Sequence, residues 1–336
     1  MKTKNIIGLI ARVVIALVFM ASAITKYISI DAFDQFVYEH QIFPWVTTTI
    51  VTRLLIACEF TLGFLLLIGV KAKEVKWLII VFLVGFTVYI ALKPYLFNTV
   101  DEENCHCFGE VLILSDSQTL IKNIILLALS YFMFWDKGLN LTKAGNDESE
   151  ENNDNGKAKP KEGILSWLKS HQNPVAAYSF IVILILFFFI KMPDTLQYKL
   201  YGKAAKINEP AFEYIINHGE LADLNVTKGK KIVCMYSPFC KYCSKTAKRF
   251  DVIRQKYNLK DEDFVLIFWD KEEAVQKFFS RNEIKPLPHR NIPAKVFLEA
   301  TYGKQPVIIL LNNGKVEKLL KYPNILEKDI LDFLKK

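Results

Sequence analysis

The stretch Lys231-Ile-Val-Cys-Met-Tyr-Ser-Pro-Phe-Cys240-Lys-Tyr-Cys243 decides how this chain is read. Residues 231–237 are apolar or aromatic at most positions, as a strand buried within a sheet requires. Pro238 cannot donate to a ladder and stops the strand. Residues 244–257 then repeat apolar side chains at helical spacing. Cys240 therefore falls at a helix amino terminus, where unpaired backbone N–H groups and the helix dipole favour a thiolate. The thiolate is the attacking species in disulfide exchange, so strand, Cys-X-X-Cys and helix together point to redox chemistry.

The residues downstream alternate as an α/β domain should. Residues 264–270 read as a strand, 271–283 as a helix and 306–311 as a third strand. Asn312-Asn313-Gly314-Lys315 carries the Asn-Gly signal of a tight hairpin into 316–320, and 325–334 closes the domain as a helix. Over 202–336 this pattern resembles the thioredoxin fold. The resemblance implies that Cys240 is the attacking and Cys243 the resolving cysteine. It also implies that Pro306, in Gln305-Pro306, is a cis-proline facing the disulfide and helping to present a substrate backbone. Phe239 stands where that family usually has tryptophan, and Lys241-Tyr242 lies between the cysteines, where the intervening dipeptide helps set the potential.

Upstream, the composition changes character. The chain has 336 residues, 51% of them hydrophobic and only 23% charged, with 25 phenylalanines mostly in long apolar runs. That excludes a purely soluble, disordered or collagen-like chain. Five segments approach or exceed the roughly 18 apolar residues that a bilayer demands: 6–23, 46–69, 75–97, 120–135 and 174–192. The first also resembles a cleavable secretory signal ending at Ala21-Ser22-Ala23, but Arg12 interrupts its apolar region. It is expected to be retained as a membrane helix. The net charge of +8 comes from lysines in short loops beside apolar runs, which suits membrane orientation and not nucleic-acid binding.

Lys2 and Lys4, then Lys71, Lys73 and Lys76, then Lys137, Lys143, Lys157, Lys159, Lys161 and Lys169 mark one side of the membrane. On the other side, Lys26 near a helix end stands beside Asp31, Asp34 and Glu39, and 98–117 has no Lys or Arg but carries Asp101, Glu102 and Glu103. The two sets alternate, so the expected topology is five-pass, with a cytoplasmic amino terminus and the carboxyl-terminal domain outside. Expected domains are a four-helix membrane bundle over 1–137, a flexible cytoplasmic linker over 138–173, a fifth transmembrane helix over 174–193 and the α/β domain over 202–336. Within the linker, 146–156 is rich in Asp, Glu and Asn and too poor in apolar side chains to order itself.

Charges inside apolar helices are costly and mark functional candidates. Glu59 lies near the middle of the second helix and Arg12 about a turn and a half inside the first, so an Arg12–Glu59 pair is expected from their depth. Lys26, Arg53 and Lys93 lie toward the outer helix ends. They read as interfacial anchors whose long stems snorkel, or as a cationic floor under a thiolate or an anionic redox intermediate.

In the outer loop, Asn104-Cys105-His106-Cys107-Phe108-Gly109 sets two thiols one residue apart. A disulfide across so small a ring is strained, and strained bridges are the labile kind. A metal-ligand pair or two unreactive thiols are the other readings. His106, when protonated, lowers a neighbouring thiol's pKa; as an exposed loop residue it has no defined role. Cys58, in a membrane helix, and Cys234, in the buried strand, read as small apolar residues.

Arg12, Ser22-Ala23-Ile24-Thr25-Lys26, Glu59-Phe60-Thr61-Leu62-Gly63 and Cys105-His106-Cys107-Phe108-Gly109, in that order over 4–137, are similar to the DoxX/MauE superfamily of four-helix membrane proteins. The MauE branch is associated with maturation of methylamine dehydrogenase, a disulfide-rich periplasmic enzyme. The resemblance implies disulfide chemistry and not methylamine as substrate.

The expectation is a thiol–disulfide oxidoreductase of a bacterial inner membrane, in which Cys105/Cys107 exchange with Cys240/Cys243 and serve exported cysteine-containing clients. By analogy with bacterial systems that reoxidise a thioredoxin-fold oxidant, a quinone is the expected electron acceptor, although no residue pattern identifies its site. No covalent cofactor or metal is expected. An outward-directed reductant and a non-catalytic metal-binding or maturation scaffold are the alternatives.

Overall fold

Where a helix must lie in lipid, every backbone polar group has to be satisfied within it, and the amino-terminal half does this with long unbroken helices. In the computed structural model the described residues are 2–70, 72–96, 114–135, 171–201, 206–217 and 221–335. The expected linker 138–173 therefore lies almost entirely outside them. They divide into two compact units, one of 1–40 and 49–191, the other of 41–48 and 192–336.

The first unit contains α1 (Lys2–Ile28), α2 (Ile30–Glu39), α3 (Trp45–Ile68), α4 (Ala72–Leu96), α5 (Asp116–Met133) and α6 (Gln172–Ile190). Within the described residues, four helices are long and apolar enough to cross a membrane, namely Thr3–Ile28, Trp45–Ile68, Lys73–Lys93 and Gln172–Ile190. The expected fourth span forms as α5, which is shorter and carries Asp116, Gln118, Lys122 and Asn123. Ser115 and Gln118 close a capping box at its start, satisfying two backbone donors that would otherwise be left over. A core of Ile15, Ala16 and Phe19 from α1, Leu66 from α3, Ile79 from α4 and Leu126 from α5 joins the helices. α6 has no fully buried residue; Phe187 stacks on Tyr27 at 4.5 Å and meets Phe60 at 5.4 Å, while Tyr178, Phe189 and Ile190 are exposed, as a helix with one lipid-facing side allows.

One sequence expectation changes here. The acidic loop between the first two spans contains a helix, α2, which buries Ile30, Phe33 and Phe36; its three acids masked the helical period. Gly63 also has a specific steric role, because a Cβ there would lie 2.8 Å from the Ala16 carbonyl oxygen and 2.9 Å from Met20 Cγ. Small residues at such points let membrane helices approach closely.

The second unit contains α7 (Asp194–Tyr201), α8 (Glu209–Asn217), β1 (Lys230–Tyr236), α9 (Lys241–Lys256), β2 (Phe264–Phe268), α10 (Glu272–Arg281), β3 (His289–Asn291), α11 (Ala294–Thr301), β4 (Val307–Asn312), β5 (Lys315–Leu320) and α12 (Glu327–Lys335). The strands form one sheet in the order β3-β2-β1-β4-β5. β1 is parallel to β2 and antiparallel to β4, so Cys234 stands opposite both Leu266 and Ile308. Strand side chains alternate between faces. Val233 and Met235 pack with Phe212 of α8 and Phe297 of α11, whereas Tyr236 and Phe268 meet Phe278 of α10 on the other face. The β4–β5 turn places Asn313 at φ 50° and Gly314 at φ 77°, the two positive values that a tight hairpin turn needs. This is the α/β order expected of a thioredoxin-like domain, with β3, α8 and α11 added to the elements read from sequence.

Candidate active site

The end of β1 and the start of α9 build the site. Ser237 and Pro238 leave the sheet, the Cys240 N–H donates to the Ser237 carbonyl at 3.1 Å, and the Ser244 N–H closes the first helical turn on the Cys240 carbonyl at 3.1 Å. Cys240 is thus the N-cap of α9, with its Sγ accepting from the Cys243 backbone N–H at 3.3 Å. A sulfur in this position takes the place of the usual capping oxygen, and it gains most from the bond when it is a thiolate.

The two thiols are unequal. Cys240 is half-buried and Cys243 fully buried, and both are free cysteines. The Cys243 thiol, followed by the backbone N–H groups of Cys243 and Tyr242, holds Cys240 down at about 6 against the opposing effect of burial. Burial, reinforced by Cys240 alongside, pushes Cys243 far up. One thiol is therefore ionised and reachable at neutral pH, while the other remains protonated beneath it.

Tertiary structure brings a third residue to this pair. The Gln305 carbonyl oxygen lies 4.0 Å from Cys240 Sγ, and Gln305-Pro306 is a cis peptide preceding β4. Trp269 Nε1 donates to Gln305 Oε1 at 3.4 Å, and Arg281 donates to the Pro238 carbonyl at 2.5 Å. Sequence reading missed the Gln305 carbonyl, Trp269 and Arg281 as supports, because no local motif ties residues separated by this much chain. Phe239 and Tyr242 flank Cys240 with 70% and 54% of their surface exposed, leaving apolar rings available to a client. Cys234 is 2% exposed in β1 and its thiol is pushed by burial up to about 12, which suits an unreactive core residue.

In the first unit the charged candidates are placed differently from their expected roles. Glu59 is not paired with Arg12. Lys26 reaches it at 2.6 Å, and Ser22 Oγ donates to it at 2.8 Å. Arg12 instead points its guanidinium at the Leu67 carbonyl, 3.4 Å away, beside Gly69. Depth along separate helices does not ensure contact: Ser22 is ten residues beyond Arg12, about 15 Å along the axis. Arg53 forms a buried pair with Asp34 at 3.0 Å, supported by the Thr52 hydroxyl. Lys93 meets Asp116 at 3.1 Å. Each lysine or arginine of the supposed floor therefore carries its own carboxylate. Cys105, His106 and Cys107 lie outside the described residues.

The amino-terminal domain can be compared with known families on this basis. Residues 4–136 match the family model of methylamine utilisation protein MauE. The amino-terminal helices of this chain are thus similar to the MauE family, and its second unit has the α/β order that the resemblance to the thioredoxin fold implied. It is similar to protein TlpB of Flavobacterium psychrophilum, 24% identical over 344 residues that span 91% of this chain and 89% of that protein. Among solved structures it is similar to a thiol:disulfide interchange protein from Bacteroides sp., at 15% identity and TM-score 0.29 over 34% of this chain and 78% of that one. It is also similar to a secreted Mycobacterium tuberculosis disulfide oxidoreductase homologous to E. coli DsbE, at 16% identity and TM-score 0.27 over 34% of this chain and 84% of that one.

Proposed function

We propose that this is a membrane-bound thiol–disulfide oxidoreductase that forms disulfides in exported proteins. The observation that carries this reading is the unequal pair at the start of α9, with Cys240 ionised near pH 6 and Cys243 buried. In the oxidising direction a client thiolate attacks Cys240 Sγ of the Cys240–Cys243 disulfide, and the Cys243 sulfur leaves and takes a proton. A second client thiolate then attacks the client sulfur of the mixed disulfide and expels Cys240. A low pKa makes Cys240 a good leaving group and stabilises the reduced form, both of which favour oxidation of the client. The Gln305 carbonyl, which precedes Pro306, borders the sulfur that the client reaches.

Turnover requires the dithiol to be reoxidised. The Cys105/Cys107 pair accepts its electrons by exchange, tethering giving each pair a high effective concentration for the other. The membrane domain passes them to a lipid-soluble quinone. The alternation of Lys/Arg-rich and acidic loops supports a cytoplasmic amino terminus and a thioredoxin-like domain on the periplasmic side.

Cys243→Ala tests the scheme, because Cys240 adducts then cannot be resolved internally. Non-reducing gels and mass spectrometry of membranes are expected to show Cys240 joined to Cys105 or Cys107 and to exported clients. Adducts with clients alone, with Cys105 and Cys107 unmodified, would sink the relay and leave the membrane domain as an anchor.

A further inference from the structure

The first unit contains a polar crevice that its own ion pairs do not exhaust. Ser22, Lys26, Glu59, Lys122 and Asn123 form its polar end. Three of them satisfy one another: Lys26 Nζ bonds both Glu59 oxygens at 2.9 and 2.6 Å and the Ser22 hydroxyl at 3.1 Å, while that hydroxyl donates to Glu59. Asn123 differs. It is 1% exposed and its Nδ2 has no hydrogen-bond partner among the described residues, a costly arrangement for a buried donor. The neighbouring Lys122 ammonium also offers donors only. This corner therefore calls for an acceptor oxygen.

Apolar rings enclose the remaining sides. Phe19 and Phe82 lie 6.1 Å apart at 58°, and Phe86 continues the wall. The crevice has about 30 Å³ of free space, the room of one or two waters and equally of one carbonyl oxygen. Lys26 and Lys122 both line the crevice, so negative charge developing on such an oxygen is stabilised.

We infer that this crevice binds the carbonyl end of a lipid-soluble dione, the oxygen accepting from Asn123 Nδ2 and Lys122 and the ring lying against Phe82 and Phe86. The inference rests on the oxidoreductase reading and names the site at which its electron acceptor docks. The electron count closes: a dithiol becoming a disulfide releases two electrons and two protons, and a dione becoming a diol takes up both.

The test uses the full chain in lipid nanodiscs with an azido-benzoquinone carrying a decyl tail, photolysed and mapped by peptide mass spectrometry. Adducts are expected in α4 and α5 around Phe82, Phe86 and Asn123. Asn123→Leu, close in volume but without the donor, lowers labelling about tenfold, as one lost hydrogen bond predicts, and Lys122→Met lowers it too. Ile124→Ala, at a surface position, leaves it unchanged. Identical melting of the variants separates loss of binding from loss of fold. Adducts elsewhere, or equal labelling of the wild type and both variants, overturn the site and leave the crevice to ordered water only. Oxidation of Cys240 and Cys243 by the quinone is followed in the same samples. Adducts in the crevice without that oxidation keep the site and overturn the oxidoreductase reading; oxidation with adducts elsewhere does the reverse.

Discussion

Cys240 Sγ caps the helix that carries Cys243, accepting the Cys243 backbone N–H at 3.3 Å, while the Cys243 thiol lies buried beneath it. Local helix geometry sets this relationship: a capping side chain that can accept a hydrogen bond lies within reach of the backbone N–H of the third residue of its helix. The same turn that begins α9 thereby divides two chemically identical side chains into a half-buried, readily ionised thiol and a buried, protonated one.

The pH dependence of Cys240 reactivity follows. A thiol held near 6 instead of the usual value of about 8.5 alkylates at a rate that rises through pH 6 and is flat by pH 8. Iodoacetamide kinetics on the reduced protein, with Cys240 modification followed by mass spectrometry, measure this profile. Cys243→Ala removes the first-named cause of the depression, so its midpoint moves up toward the ordinary range; an unmoved midpoint would show that the backbone N–H groups suffice alone. The folded-state pKa is the lower one, so ionised Cys240 stabilises the reduced fold above the unfolded-state value, and this contribution disappears as pH falls through about 6.

Lys26 and Glu59, buried at 6% and 7% exposure and 2.6 Å apart, behave as a unit. Lys26→Met leaves a carboxylate without its ammonium and costs roughly 3–5 kcal/mol, whereas Lys26→Met with Glu59→Gln costs much less, because no lone buried charge remains. Thermal unfolding in detergent across the four proteins of a double-mutant cycle yields the coupling. Additive losses would show that water solvates the pair.

At Gly63, α3 lies close against α1. Gly63→Val drives its side chain into the Ala16 carbonyl and Met20 and destabilises the bundle by about 1–3 kcal/mol. Gly85, with nothing within 4 Å of its would-be Cβ, serves as the control, and Gly85→Ala leaves the melting temperature unchanged or slightly raised.

Cys234 separates packing from chemistry. Cys234→Ala in β1 removes one buried sulfur and costs stability by about 1–2 kcal/mol, yet leaves the rate of Cys240-dependent disulfide exchange unchanged. A fall in that rate at constant fold would bring Cys234 into the mechanism.

Much of the molecule could be read before folding because its signals are local. Long, mostly apolar segments, a strand followed by Cys-X-X-Cys and a helix, and an Asn-Gly turn each act through neighbours in the chain, where sterics and backbone hydrogen bonding operate. Elements with mixed patterns escaped: α2 carries three acids among its apolar residues, and α11 has only eight residues.

Sequence by itself determined where the apolar helices lie, the order of the principal α/β elements and the placing of Cys240 and Cys243 at the start of a helix, all of which follow from periodicity and spacing. Only the tertiary structure decided the partners. Glu59 chose Lys26 over Arg12, Arg53 chose Asp34, and the Gln305 carbonyl arrived beside Cys240 from 65 residues away. Ion pairing and hydrogen bonding depend on distance between atoms, which packing of separate elements sets and which position along a helix does not.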